Sequence, residues 1–264
     1  MKRFLCTCAL FLVSGISAAA YAADMTPEQI IDNSYSRQVM DHESAEAIMD
    51  MYMIEGEKVV QQRRLKTRAR TVSEGGEKLV RVLMHFVEPA DIKGTSFLSI
   101  ERKGGDDDQW LYLPALSKVL RKGGQNGKSE SFMGTEFTYG DMESKEVSES
   151  VHKRLPDEKL GAIDCYVIES TPKNPGEEGY GKYINYIDKR NFVPMRVKLF
   201  DLEGQLFKVM MTEKVEKIDG KDTMTTIVML NVKNKKATRL ILHDIKTGLK
   251  FTDADFGKER MTQM

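Results

Sequence analysis

From Ala47 to about residue 246 the chain is a succession of short, largely apolar runs broken by turn residues. That spacing leaves little room for anything but an antiparallel sheet. Strands are predicted at 47–55, 58–71, 78–88, 96–102, 109–113 and 117–121, with "EGEK", "SEGGE" and "KGGDDD" between them. A second series is predicted at 144–153, 163–171, 181–188, 193–200, 205–217, 223–233 and 238–246, with "LPDEKLG", "DLEG" and "IDGK" as turns. Gly, Asp and Asn supply the backbone conformations of tight turns, and connections this short join antiparallel neighbours. Pro and Gly never accumulate into a linker, so one continuous, strongly curved sheet is expected.

Ahead of the strands, Thr26-Pro27-Glu28-Gln29 reads as a helix start, with Thr26 as N-cap, Pro27 at the first helical position and Gln29 closing a capping box. Ile30, Ile31, Tyr35, Val39 and Met40 recur at helical spacing, which predicts one apolar face running to about Met40. Residues 1–23 read as a cleaved signal peptide: Lys2 and Arg3, an apolar run from Phe4 to Ile16, then small residues ending in Ala20-Tyr21-Ala22. The run is shorter than the roughly 20 residues that span a bilayer. The expected product is a single domain over 24–264, exported to the periplasm, soluble and not lipid-anchored, since Cys6 and Cys8 stand too early to be a lipidation site. Cys165 is then the one remaining cysteine, and no internal disulfide can form. With Lys2 and Arg3 gone, 38 basic residues face 40 acidic ones, a balance of −2 that gives no bulk attraction to nucleic acid.

Two features resist a plain meander. The segment 116–142 holds a polar loop, "KGGQNGKSES", followed by "SFMGTEFTYGDM", which is too aromatic to be solvent filler and is expected to act as a lid or mouth. Moreover "VLMHFV" (82–87), "WLYLPAL" (110–116) and "IVMLNV" (227–232) are apolar on both faces, whereas a sheet with one face in water alternates. A helix, a second sheet or a ligand must cover the other side.

Chemistry-bearing candidates are sparse. Asp106, Asp107 and Asp108 follow Gly104-Gly105 and precede a strand; they lack the alternating ligand spacing of a calcium loop, so they are read as a hairpin tip. His42, His85, His152 and His243 are scattered without zinc-ligand spacing, and Cys165 stands in a strand as a small buried hydrophobe. No nucleophile elbow or phosphate loop appears. No enzyme activity, metal or cofactor is expected. Methionines are abundant in the strands, including Met49, Met51 and Met53 in alternation; each alone is ordinary core, and together they favour an adaptable apolar surface. "QQRRLKTRAR" (61–70) reads as the solvated face of a strand, without the stacking aromatics of a nucleic-acid site.

Three stretches, "EPADIKGTSFLSIE" (88–101), "DDQWLYLPALSKVLRK" (107–122) and "SFMGTEFTYGDM" (131–142), together resemble the outer-membrane lipoprotein-sorting (LolA-like) protein family, in the branch associated with RND/MMPL-type transporters. Downstream, "YINYIDKRNFVPMRVKLFDLEGQLFK" (183–208) resembles the same branch, so the likeness covers most of the chain beyond the leader. The resemblance implies a mainly β fold with a few helices, an incomplete antiparallel β-barrel wrapped around helices, LolA/LppX-like, with an apolar cavity between sheet and lid. It implies a monomeric periplasmic carrier that shields lipid or lipoprotein acyl chains on their way toward the outer membrane, beside an inner-membrane transporter. The expected lining is Phe97, Trp110, Tyr112, Leu116, Phe132, Met133, Phe137 and Tyr139, with Met195 and Met229. The alternative is a non-transporting periplasmic adaptor whose apolar groove binds a protein partner.

Overall fold

The structure is a computed structural model, described for residues 25–35, 42–122 and 127–263. The expected signal peptide and the helix beyond Tyr35 lie outside the described residues. Helix α1 (Pro27–Tyr35) starts as its sequence dictates: the Gln29 amide donates to Thr26 Oγ1 (3.2 Å) and Gln29 Oε1 accepts from the Thr26 amide (2.9 Å). Ile30 and Ile31 bury its apolar face against Tyr166, Ile168 and Ile187.

Thirteen strands follow. They are β1 (Ser44–Glu55), β2 (Lys58–Glu74), β3 (Glu77–Glu88), β4 (Ser96–Ile100), β5 (Asp108–Leu113), β6 (Lys118–Lys122), β7 (Ser150–Leu160), β8 (Ile163–Pro172), β9 (Lys182–Asp188), β10 (Pro194–Phe200), β11 (Leu206–Ile218), β12 (Lys221–Asn231) and β13 (Lys236–Thr247). A second short helix, α2 (Pro175–Glu178), lies between β8 and β9. All thirteen strands form one antiparallel sheet in the order β6-β5-β4-β3-β2-β1-β13-β12-β11-β10-β9-β8-β7. The chain therefore builds one meander outward from β1, returns at the far edge with β7, and builds a second meander back until β13 pairs with β1. The sheet is not closed: β6 and β7 are its two edges, and 123–149 connects them.

The sequence-based position of β7 needs correction. It was expected at 144–153, with "LPDEKLG" as a turn, but the strand runs from Ser150 to Leu160 and 144–149 belongs to the connection. Pro156 is accommodated because β7 is an edge and its register shifts between Leu155 and Glu158; a proline's missing N–H costs nothing at such a bulge.

Leu111 of β5 and Leu199 of β10, near opposite ends of the strand order, share one apolar cluster, so the sheet curls around a concave face. Met49, Met51, Met53, Met224 and Met229 are part of that cluster. What covers the centre of the face is largely non-helical: Phe132, Phe137 and Tyr139 of the β6–β7 connection. The outer face of β3–β5 is covered instead by the C-terminal 3-10 turns Asp253–Phe256 and Lys258–Thr262, where Leu83, Leu98, Phe256 and Met261 pack together. This double cover accounts for the two-sided apolar runs at 82–87 and 110–116. No helix among the described residues is long and apolar enough to cross a membrane.

Candidate functional site on the concave face

The residues 127–143 enter the concave face as a compact plug. Its tip is a tight turn closed by the Thr135 amide on Phe132 O (3.0 Å), with Met133 (φ 52°) and Gly134 (φ 77°) both left-handed. Gly takes that conformation freely; Met133 does so at a cost. The turn brings Phe132 and Tyr139 beside Phe97 of β4, with ring centroids 5.0 Å apart for Phe97–Phe132, 5.5 Å for Phe132–Tyr139 and 5.9 Å for Phe97–Tyr139. Burial pushes the Tyr139 hydroxyl up to about 12.

The plug meets the floor of the sheet through side chains and backbone carbonyls. Arg63 Nη1 donates to Met133 O (2.5 Å) and Nη2 to Gln61 Oε1 (3.2 Å). Lys208 Nζ donates to Glu136 O (2.7 Å) and lies 3.3 Å from the Tyr180 hydroxyl. The Glu136 amide donates to Thr238 Oγ1 (3.0 Å), Asn231 Nδ2 to Glu136 Oε2 (2.9 Å), and Gln109 Nε2 to Tyr139 O (3.1 Å). Beyond the bridge that pairs Ser131 with Thr138 of the plug itself, no strand ladder holds the segment to the sheet.

A different set of contacts ties the base of the plug to the two meanders. Lys128 Nζ lies 2.7 Å from Asp106, 3.0 Å from Glu143 and 3.6 Å from Glu178, joining the β4–β5 connection to α2. Lys145 pairs with Glu178 at 2.5 Å. Burial works against the Lys128 charge, yet its bonds to Asp106 and Glu143 outweigh that and hold it above the usual lysine range. Asp107 accepts from the Ser144 amide (3.1 Å) and Ser99 Oγ (3.3 Å); burial pushes its carboxyl up to about 7 against those bonds. Asp108 instead pairs with Arg102 and Arg121 at the surface. Gly179 sits at φ 73°, and a Cβ there would stand 2.9 Å from the Ser129 Cβ, so the close approach of α2 to the plug needs glycine.

The sequence-predicted lining divides. Phe97, Phe132, Phe137, Tyr139 and Met229 meet in the concave cluster, and Met133 and Met195 pack half-buried against it. Trp110 and Tyr112 do not: they face outward against the C-terminal turns, with Lys258 Nζ 4.3 Å from the Trp110 ring centre, while Leu111 and Leu113 face the plug. Leu116 is exposed in the 3-10 turn Pro114–Leu116. The "QQRRLKTRAR" reading holds for Arg64 and Arg68, which pair with Asp50 and Glu46, but Arg63 is buried on the concave side with Leu65, Thr67 and Ala69. The alternation of Leu65, Thr67 and Ala69 was the signal that places Arg63 inward. Of the three aspartates in the β4–β5 connection, Asp106 and Asp107 anchor the base of the plug, and Asp108 does not. His85 and His152 are taken up by Ser96 and Ser170, each at 2.8 Å, and Cys165 is fully buried with its thiol pushed up by burial.

A family model described only as that of an uncharacterized protein matches residues 78–263. A comparison with curated proteins returns no match. Among solved structures, a domain from Vibrio parahaemolyticus described as outer-membrane lipoprotein-sorting is similar at 30% identity and a TM-score of 0.80, covering 89% of this chain and 98% of that one. A DUF1329 family protein from Desulfovibrio piger is 27% identical with a TM-score of 0.81, over 90% of this chain and 100% of that one. A LolA superfamily protein from Nitrosomonas europaea shares the fold, at 20% identity and a TM-score of 0.68, over 89% and 99%.

Proposed function

The chain belongs to the DUF1329 family, whose structural neighbours include a lipoprotein-sorting domain, and from that membership we propose that it is a single-domain periplasmic carrier of lipid or lipoprotein acyl chains. In this reading the plug is withdrawn and the cargo takes its place among the methionines of the concave face, moving toward the outer membrane beside an inner-membrane transporter of the RND/MMPL type. The observation that carries it is the plug itself, an aromatic segment that fills the concave face without being paired into the sheet.

The energies match such an exchange. Phe132, Phe137 and Tyr139 together contribute on the order of 5–9 kcal/mol by burial, and an acyl chain contributes about 0.8 kcal/mol per methylene, so roughly six to eleven methylenes replace the plug. An exchange near balance permits both uptake and release. The exposed large apolar side chains, Val59, Val60, Leu116, Val119, Val151 and Leu202, all stand at one end of the sheet, the end of the 56–57 and 232–235 turns. That end is the one through which cargo enters and leaves.

The test is mass spectrometry of organic extracts of the protein purified, without detergent, from its own periplasm. A stoichiometric lipid is expected, together with saturable uptake of a fluorescent lipid that Phe137→Asp abolishes in a folded variant. An empty protein that also refuses added lipid overturns the carrier reading and favours the adaptor.

A further inference from the structure

Two cations lie buried on the concave face without a direct ion pair, the carboxylates that act on them standing farther off: Asp91 for Arg63, and Asp141 and Glu136 for Lys208. Arg63 is 7% exposed and Lys208 is 5% exposed, and among the described residues neither has a carboxylate oxygen within ion-pair distance. Arg63 Nε is buried with no partner at all, and the same is true of Thr67 Oγ1 on the same face of β2. Taking an unpaired charge out of water is costly, and native interiors pair such charges or supply them with hydrogen-bond acceptors. Here each cation has one acceptor from the plug, Met133 O for Arg63 and Glu136 O for Lys208. Two acceptors three residues apart lie within roughly 10 Å of each other.

Both cations stand near the starts of their strands, at the end of the sheet that carries the 56–57 and 232–235 turns. Met49, Phe86, Phe97 and Met224 of the cluster stand farther from that end along the face. A purely structural apolar core gains little from this arrangement, since a methionine of similar length fills the same space without the desolvation cost and forfeits only the bond to the plug carbonyl.

Resting on the carrier reading above, we propose that Arg63 and Lys208 are the headgroup site of the cargo, and that the cargo is an anionic amphiphile whose phosphate or carboxylate oxygens replace Met133 O and Glu136 O when the plug withdraws. The plug carbonyls are stand-ins for those oxygens. With Met133 O gone, Nη1 is free to donate to one oxygen of the head, and the orphaned Nε, which shares an edge of the fork with Nη2, is a further donor for the same oxyanion. Lys208 supplies a second, point-like charge to the same head.

The experiment compares myristoyl lysophosphatidate, myristate and the uncharged monomyristin, which share one acyl chain, together with glycerol phosphate as a head without a tail. Binding is measured by titration calorimetry on the full mature chain at constant ionic strength. The expected result is that both anionic amphiphiles bind at least about tenfold more tightly than monomyristin, and that glycerol phosphate binds far more weakly than lysophosphatidate. In Arg63→Gln, and further in the double variant with Lys208→Gln, the anionic-to-neutral affinity ratio falls by about tenfold or more. Arg63→Lys, which keeps charge but not the fork, retains part of the ratio and covers the case in which the glutamine variant misfolds.

Equal affinity for charged and uncharged amphiphiles overturns the headgroup site and leaves the carrier intact. So does a ratio unmoved in both Arg63→Gln and the double variant. Glycerol phosphate binding as tightly as lysophosphatidate overturns the amphiphile in favour of a free anion. Failure of every amphiphile to bind overturns the carrier reading and this site with it.

Discussion

At the base of the plug Lys128 is surrounded by Asp106, Glu143 and Glu178, whereas a few residues along the same segment the carbonyls of Met133 and Glu136 receive cations that make no direct ion pair among the described residues. In the first region the cation is in direct contact with carboxylates, and in the second it is not. Ionic partners at the base come from both meanders, so breaking them loosens the plug from both, leaving its floor contacts and aromatic packing to hold it. Carbonyls on the floor are acceptors that another oxygen can replace. The base is thus built to stay and the floor to exchange.

The largest expected effect is at the base. Lys128→Met keeps the length of the side chain and removes the charge, leaving the buried Glu143 and the half-buried Glu178 close together beside the exposed Asp106. Removing one partner of a buried ionic cluster costs about 3–5 kcal/mol, which a urea midpoint registers directly. Limited proteolysis of the same variant is expected to cut first within 127–143. A cost below about 1 kcal/mol would mean that the base is as exchangeable as the floor.

Next comes a pH effect confined to the base. The Asp107 carboxyl is raised from 3.8 to about 7 by burial. Between those values the folded chain holds a proton that the unfolded chain has released, so this group's contribution to stability falls as pH rises from about 4 to about 7. Asp107→Asn keeps an acceptor for the Ser144 amide and removes the titration. The variant is expected to match the parent at pH near 4 and to exceed it at pH 8, with a ceiling of about 4 kcal/mol set by a shift of roughly three units. Urea unfolding at the two pH values measures the gap. A constant gap would show that Asp107 carries its charge throughout.

The floor should answer the same chemistry in the opposite sense. Lys208→Met deletes a buried cation that makes no direct ion pair, at the loss of one bond to Glu136 O and one contact with the Tyr180 hydroxyl. The two effects oppose each other, and the net change expected is within about 1 kcal/mol of zero. Set beside Lys128→Met, this is the direct test of the contrast: one substitution, two sites, a several-fold difference in cost by urea unfolding. A loss as large as that of Lys128→Met would make Lys208 a structural anchor.

Much of the sheet was legible, because thirteen strand-sized runs separated by Gly- and Asp-rich turns encode their order locally. The phase of β5 was not. With plug on one side and C-terminal turns on the other, both faces of β5 are apolar, and an alternating pattern that is apolar throughout says nothing about which face is which. Trp110 and Tyr112 were therefore placed inside, where Leu111 and Leu113 stand. Arg63 was hidden for the converse reason: it lies in a run of charges, and only its small and apolar neighbours at two-residue spacing point it inward. The aromatic segment within 116–142 was expected as a lid or mouth, but how it seats depends on contacts 70 or more residues away in the chain, as for Arg63 with Met133 and Lys208 with Glu136. No local pattern carries that information.

The same non-locality separates three neighbours that look identical in sequence. Asp106 joins Lys128, Asp107 is buried against Ser144, and Asp108 reaches Arg102 and Arg121, two side chains that are 52% and 75% exposed. Exposed ion pairs are screened by water and salt and contribute about 0.2–1 kcal/mol. Asp108→Asn is accordingly expected to shift the urea-derived stability by no more than about 0.5 kcal/mol, without the pH dependence assigned to Asp107, and to lose even that in high salt. A cost above about 1 kcal/mol that persists in high salt would mean that the three aspartates act as one unit, and that the base of the plug extends outward to the surface pair.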